Sequence, residues 1–414
     1  MFKSSVLRWC ITILVVVFYL IIARSANAQS TGQKNVEVRT NARFNVGPLY
    51  VTPQLISVSL GVDSNVHNET DINRPKSDFT AQFSPQLSLW VPMARRALLT
   101  TTMGGVYDYY RSFSRERSVG GTVAVRGDLF LRRLTLFAEA GLESTRARPS
   151  HEIDSRIRRS TESRSAGIEV LASSKVSLQA EGFRRVSSYA PDALYQGVRL
   201  RETLNHIAQG ARVSLTRRVT SLTTLGVLAE VSETLFPESP ERNADSRRMG
   251  LTVELAPKAL ISGRAEVGVR QFRPRDARLS EFSGLVAKLG VTHRFRAATQ
   301  FDVVWGRDVE FSYDPLRPYY LSNGIEVRIR RQLVGRYDIV GGATRTTYAY
   351  RAFEGVPLAD GGRIRTDSIT LDLGYRLTRQ ARLGFGATRW DRSGGNLVGG
   401  YEAYRFGFTL SYGY

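Results

Sequence analysis

The chain has 414 residues, a formal net charge of +20, one cysteine and four histidines. So few soft ligands argue against a structural zinc site. The lone Cys10 lies in the leading apolar run, so the rest of the chain has no disulfide to staple it. The mean hydropathy of −0.22 suits a water-soluble chain. It equally suits a membrane protein built from strands, because alternating apolar and polar residues cancel in the average.

Residues 1–28 read as a signal peptide. Lys3 and Arg8 precede the apolar run Cys10 to Ile22, and Ser25-Ala26-Asn27-Ala28 offers a small-residue cleavage site. Without that segment, which carries three cations and no acid, the net charge is +17. No later stretch approaches the ~18 consecutive apolar residues of a membrane-spanning helix. Residues 29–46 lack a sustained pattern and read as a flexible periplasmic leader.

From residue 47 to 414 the period is two almost everywhere. In Asp78 to Pro92, for example, Phe79, Ala81, Phe83, Pro85, Leu87, Leu89 and Val91 share one face, and Asp78, Thr80, Gln82, Ser84, Gln86 and Ser88 the other. About 18 such strands are predicted. The first nine are 50–63, 78–92, 97–111, 118–132, 133–147, 159–173, 175–189, 200–217 and 220–234. The rest are 246–257, 259–272, 281–296, 298–313, 319–333, 335–350, 363–378, 381–392 and 400–414. Most exceed the ~5–6 residues of a soluble strand and suit a tilted membrane-crossing one.

The connections alternate too. Short ones ("SSK", "TRRVT", "APKA") take turns with long polar ones ("NVHNETDINRPKS", "RPSHEIDSRIRR", "FPESPERNADS"). That is the grammar of a transmembrane barrel with short periplasmic turns and long outer loops. The fold class expected is all-β: a closed antiparallel transmembrane β-barrel of about 18 strands, with 16 as the alternative count. Tyr107, Tyr109, Tyr110, Phe272, Tyr313, Tyr319, Tyr320, Tyr348 and Tyr350 lie near strand ends and are expected in the outer aromatic girdle. The last stretch, "RFGFTLSYGY", is the expected closing strand, paired with the first strand near Leu55 to Val62. Phe408, Leu410, Tyr412 and Tyr414 step along its lipid face and resemble the C-terminal signal read by the barrel-assembly machinery.

The stretches "GVDSNVHNE", "PKSDFTAQFSPQLSLW", "ALISGRAEVGVRQFRP", "FSGLVAKLGVTHRF" and "DPLRPYYLSNGIEV" resemble a bacterial outer-membrane β-barrel family of porin type. The resemblance runs from about Gly47 to Tyr414. It implies an outer-membrane location and a link with exopolysaccharide export. It implies no catalytic residues.

Parity assigns the candidate lumen-lining residues: Arg126, Glu139, Glu181, Arg212, Glu254, Arg264, Glu266, Arg270, Asp302, Glu326, Arg328, Asp372, Arg376 and Arg405. A mixed-charge wall can be a set of cross-strand ion pairs or the selective lining of a pore. The excess cations, among them Arg146, Arg148, Arg156, Arg158, Arg159, Arg247, Arg248, Arg273 and Arg275, crowd the loops. There they suit anionic lipopolysaccharide, or an anionic solute drawn to the mouth.

The histidines His67, His151, His206 and His293 stand in no recognised catalytic frame. The loop histidines His67 and His151, each beside acids, read as solvated surface. The expected role is a passive conduit for polar solutes or polysaccharide, without enzymatic activity, cofactor or metal. The alternative is a non-conducting structural or assembly barrel of an exopolysaccharide export system; an outer-membrane enzyme is third. Partners expected are outer-membrane lipid and lipopolysaccharide, the barrel-assembly machinery and polysaccharide-export components, but not nucleic acid.

Overall fold

The computed structural model describes residues 43–413 apart from 94–95, 258, 297, 359–361 and 394–398. The signal peptide, most of the leader and Tyr414 lie outside the described residues.

Eighteen long strands are present among the described residues. In chain order they are β1 Leu49–Asp63, β2 Asp78–Met93, β3 Ala97–Tyr110, β4 Ser118–Phe130, β5 Leu134–Ala147 and β6 Ile157–Leu171. Then come β7 Val176–Tyr189, β8 His206–Arg218, β9 Thr223–Leu235, β10 Ala244–Leu255, β11 Ile261–Pro274 and β12 Phe282–Phe295. The last six are β13 Thr299–Phe311, β14 Tyr319–Gln332, β15 Tyr337–Arg351, β16 Arg363–Arg376, β17 Ala381–Arg392 and β18 Tyr401–Tyr412.

Each strand pairs antiparallel with the next, and β18 closes on β1 from Ile56↔Tyr412 to Asp63↔Arg405. The edge that would template aggregation in an open sheet is therefore consumed. In a bilayer such closure is what satisfies every backbone N–H and C=O without water. Gly61 and Gly407 face each other across the seam, and a Cβ on either would strike the partner backbone. The seam is further tied by Arg405 to Asp63 at 2.7 Å and by the Ser59 and Thr409 hydroxyls at 3.0 Å.

Nearly all predicted strand ends lie within three residues of those observed, and two segments differ in kind. Residues 44–46 are not featureless leader, because Phe44–Val46 is a short strand folded back on β1. The eighth strand starts at His206, not at 200, because Leu200–Leu204 is one helical turn. Its buried residues Leu200, Thr203 and Leu204 recur at helical spacing.

The period of two sorts the wall into two rows. Val58, Leu60, Val62, Phe406, Phe408 and Leu410 form part of an exposed apolar row facing away from the interior. The alternate row faces the interior, as the contacts of Tyr350 with a loop across the mouth show. One departure shapes the outer end. The β12–β13 ladder stops at Ala287↔Arg307 although both strands continue. Beyond that point β13 and β14 tip inward. Val309, Tyr319 and Leu321 then pack on Ala244, Phe272, Phe282 and Val286, a small hydrophobic core inside the barrel rim.

Candidate functional site

The site is built by two sets of residues: the charged inward row of the wall, and the loops folded over its outer mouth.

The register puts the fourteen candidate lumen-lining residues on the inward row and gives most of them partners. Arg126 lies 3.0 Å from Asp128 and 3.5 Å from Glu139. Arg212 holds Glu230 at 2.6 Å and stands opposite Glu181, and Glu254 stands opposite Arg264. Arg248 and Arg270 are directly opposite, an unfavourable like-charge pair. Glu266 at 2.6 Å from Arg248, with Asp308 at 2.5 Å from Arg270, neutralises it. Asp302 accepts from Thr292 and Gln300, and Arg328 reaches Glu326 at 2.6 Å. At the short-turn end Arg382 bridges Asp338 (2.6 Å) and Asp372, and Arg376 lies 3.4 Å from Asp338, whose side chain is 0% exposed. Pairs as open as Arg126–Glu139 add little; the enclosed Asp338–Arg382 group is costly to break.

The mouth is dominated by the β5–β6 loop, residues 148–156. Its Glu152 is 2% exposed and accepts from the Ser312 hydroxyl (2.6 Å), the Tyr350 hydroxyl (2.7 Å) and the Tyr313 N–H (3.4 Å). Tyr350 belongs to β15, nine strands around a ring of eighteen from β6. The loop is thus a strap to the opposite wall. Burial pushes the Glu152 carboxyl up to about 7, against the hydrogen bonds from Ser312 and Tyr350 that favour its charged form.

His151 is stacked on Tyr348 with ring centroids 3.3 Å apart, and its Nε2 lies 2.8 Å from the Tyr350 hydroxyl. Burial, with Arg392 nearby, lowers its pKa to about 3, so it is neutral. This corrects the reading of His151 as solvated surface. Asp154 is held by Arg392 at 2.7 and 2.8 Å and by the Asn68 amide at 3.2 Å. The β7–β8 loop supplies Ala193, Leu200 and Leu204, which bury Ile153 and Tyr313. Arg242 of the β9–β10 loop donates to the Ser312 and Pro318 carbonyls and binds the β13–β14 loop from its other side.

Other expectations are corrected here. Of the aromatics assigned to an outer girdle, only Tyr107 and Tyr109 belong to the outward row and stay open to the surroundings. Tyr110, Phe272, Tyr320, Tyr348 and Tyr350 lie on the inward row, and Tyr313 and Tyr319 are buried in the mouth clusters. An aromatic near a strand end serves a girdle or a loop contact equally; strand parity was the signal that separates them. His206, at the start of β8, is held by backbone. Its Nδ1 meets the Leu204 carbonyl at 2.8 Å, while Glu202 holds Arg199. His67 stands edge-on to Phe113, and His293 faces outward beside Phe301. Glu152, the strap's anchor, was missed, because nothing in "RPSHEIDSR" marks which loop acid turns inward.

Space remains beside the strap. One interior cavity of about 560 Å³ is lined by residues that include Thr122, Glu143, Arg159, Ser163, Arg185 and His206. Another of about 250 Å³ includes Gln82, Asp108, Thr370, Asp372 and Arg405.

Residues 44–410, nearly the whole ring, match the family described as Putative beta-barrel porin 2. The chain belongs to that family. It is an outer-membrane β-barrel of porin type. No curated protein matches it. Among solved structures this porin-type barrel is similar to Pseudomonas aeruginosa OccK2 (OpdF) in complex with glucuronate, at 12% identity and a TM-score of 0.47, over 87% of this chain and 98% of that one. It is similar to Acinetobacter baumannii OccAB3 at 9% identity and a TM-score of 0.46, over 87% and 98%. Pseudomonas aeruginosa OpdK with vanillate gives 11% identity and a TM-score of 0.45, over 87% and 98%. The vanillate and glucuronate are those proteins' own.

Proposed function

We propose that this barrel is a constricted conduit for small polar solutes, its interior charges forming the lining and its strap setting the width of the mouth. The observation that carries this reading is the strap itself. A loop tied by Glu152 to the opposite wall narrows an entrance while polar cavities persist beside it. Opposed acids and bases on a water-facing wall impose a transverse field that orders polar solutes without a reaction or a cofactor. Inward cations such as Arg185, which makes no ion pair among the described residues, would favour anions at the wider cavity.

Conductance of the refolded protein in a planar bilayer tests this. Discrete channels are expected, wider when residues 149–155 are replaced by a short Gly-Ser link. A silent wild type whose loop variant is equally silent overturns the reading.

A second reading is a non-conducting structural barrel of a polysaccharide-export assembly. It is favoured by the dry packing of Ile153, Leu200, Leu204 and Tyr313, which resembles a core more than a mobile loop. Silence of both proteins, with copurification of export components, would support it.

A further inference from the structure

The outward row changes character with height. On β10 it runs Leu255, Val253, Leu251 and Met249, then Arg247 and Asp245. On β16 it runs Leu373, Leu371 and Ile369, then Asp367 and Arg365. That switch marks the upper limit of the hydrocarbon band. On β1 to β4 it is absent: Val62, Phe79, Tyr107 and Val119 keep the outward row apolar up to the loops.

Within the charged belt the cations of β5 to β7 are set against one another. Arg146 stands directly opposite Arg158, and Arg164 directly opposite Arg184. Like charges facing across a strand pair are destabilising unless an anion lies between them. Arg164 has Glu162 at 3.2 Å, but its side chain is 74% exposed, so that contact is weak. The Arg184 and Arg247 guanidiniums make no hydrogen bond or ion pair among the described residues. One step below lie the small outward residues Ala166, Gly182 and Ala211. A hollow of about 1250 Å³ opens there on the outer face, with Arg164, Arg184, Arg247 and Arg273 around Ala166 and Gly182; the acids Glu233 and Asp245 line it too, both held by Arg275 at 2.6 and 2.8 Å.

The groove therefore has an apolar floor inside the hydrocarbon band and, at its upper edge, more cations than acids, the acids Glu233 and Asp245 being already held by Arg275. Its occupant must have an apolar body and an anionic head. Arg184 is in register with Asp245, two residues before Arg247, so three strand spacings and that offset put the two arginines roughly 16 Å apart, a span suited to two anionic groups. We propose that this groove binds a bisphosphorylated glycolipid of the outer leaflet, of the lipid A type. Its acyl chains cover Ala166, Gly182 and Ala211. One phosphate lies between Arg164 and Arg184, which removes their repulsion, and the other lies on Arg247. The groove opens on lipid rather than on the lumen, so the assignment is independent of whether the barrel conducts.

Native mass spectrometry of the delipidated barrel, titrated with bisphosphorylated or dephosphorylated lipid A, tests it. At least tenfold preference for the bisphosphorylated lipid is expected. Arg184→Gln with Arg247→Gln should remove that preference. Arg345→Gln, which alters an outward arginine paired with Asp367 on the far side, should leave it intact. Equal retention of both lipids by the wild type overturns the proposal, whether or not the double variant folds. So does unaltered binding in a folded double variant, or a change of oligomeric state in place of lipid binding, which would make the belt a contact between copies.

Discussion

The two ends of the barrel obey different rules. At the short-turn end the wall is a single layer: apolar side chains point to lipid, charged ones point inward, and each row reads directly from a period of two. At the long-loop end the chain makes a second layer. There β13 and β14 tip inward, the strap crosses the mouth, and the outward-row aromatics Phe311 and Tyr319 are packed against protein instead of lipid. A membrane strand is stabilised by its solvent and its neighbours; a loop is stabilised only if it assembles a small core of its own.

The largest effect should come from the short-turn end. Asp338→Ala would strip the enclosed Arg382 of a main partner and should cost about 3–5 kcal/mol in urea unfolding from lipid. A loss under 1 kcal/mol would mean that Asp372 alone neutralises Arg382. Next is Leu410→Arg, which sets a cation against hydrocarbon on the closing strand and should cost about 2–4 kcal/mol. Unchanged heat-modifiable migration and unfolding would show that this stretch of β18 does not face lipid.

The long-loop end should respond less in stability and more in function. Glu152→Ala would take the buried acceptor from the Ser312 and Tyr350 hydroxyls, leaving Tyr350 only His151, at about 1–3 kcal/mol, and should raise conductance. The sign of its pH dependence follows from the raised pKa. The carboxyl's contribution is fully present below its ordinary value near 4.5 and is lost as pH rises through about 7. The strap should therefore be tightest in acid, with conductance higher at pH 8 than at pH 5, and Glu152→Gln should abolish the difference. The opposite slope would place control of the mouth elsewhere. The smallest effect is expected from Arg345→Ala, which breaks an outward, exposed pair with Asp367 and should shift stability by less than about 1 kcal/mol.

The same division explains what the sequence made legible. Strand number, order and facing followed from alternation and length, because lipid and lumen impose opposite demands on successive residues. The seam between β1 and β18 was readable as well, since the terminal stretch alternates to its end. The mouth was not. Parity could have told Tyr350 from Tyr109, but no local pattern announces that Glu152 finds Tyr350 about two hundred residues away. Nor does alternation show where a ladder ends, so the early parting of β12 from β13 came only with the fold.

The strap has a mechanical consequence. A closed ring of strands is a hoop, and a hoop resists stretching far better than it resists becoming oval. A tie fixed at β6 and at β15 spans its diameter and sets its aspect ratio. Cutting it should change the curvature of the whole outer rim, including strands that the loop never touches. The loop then works less as a stopper than as the tie-rod of an arch, holding every stave of the rim in its place.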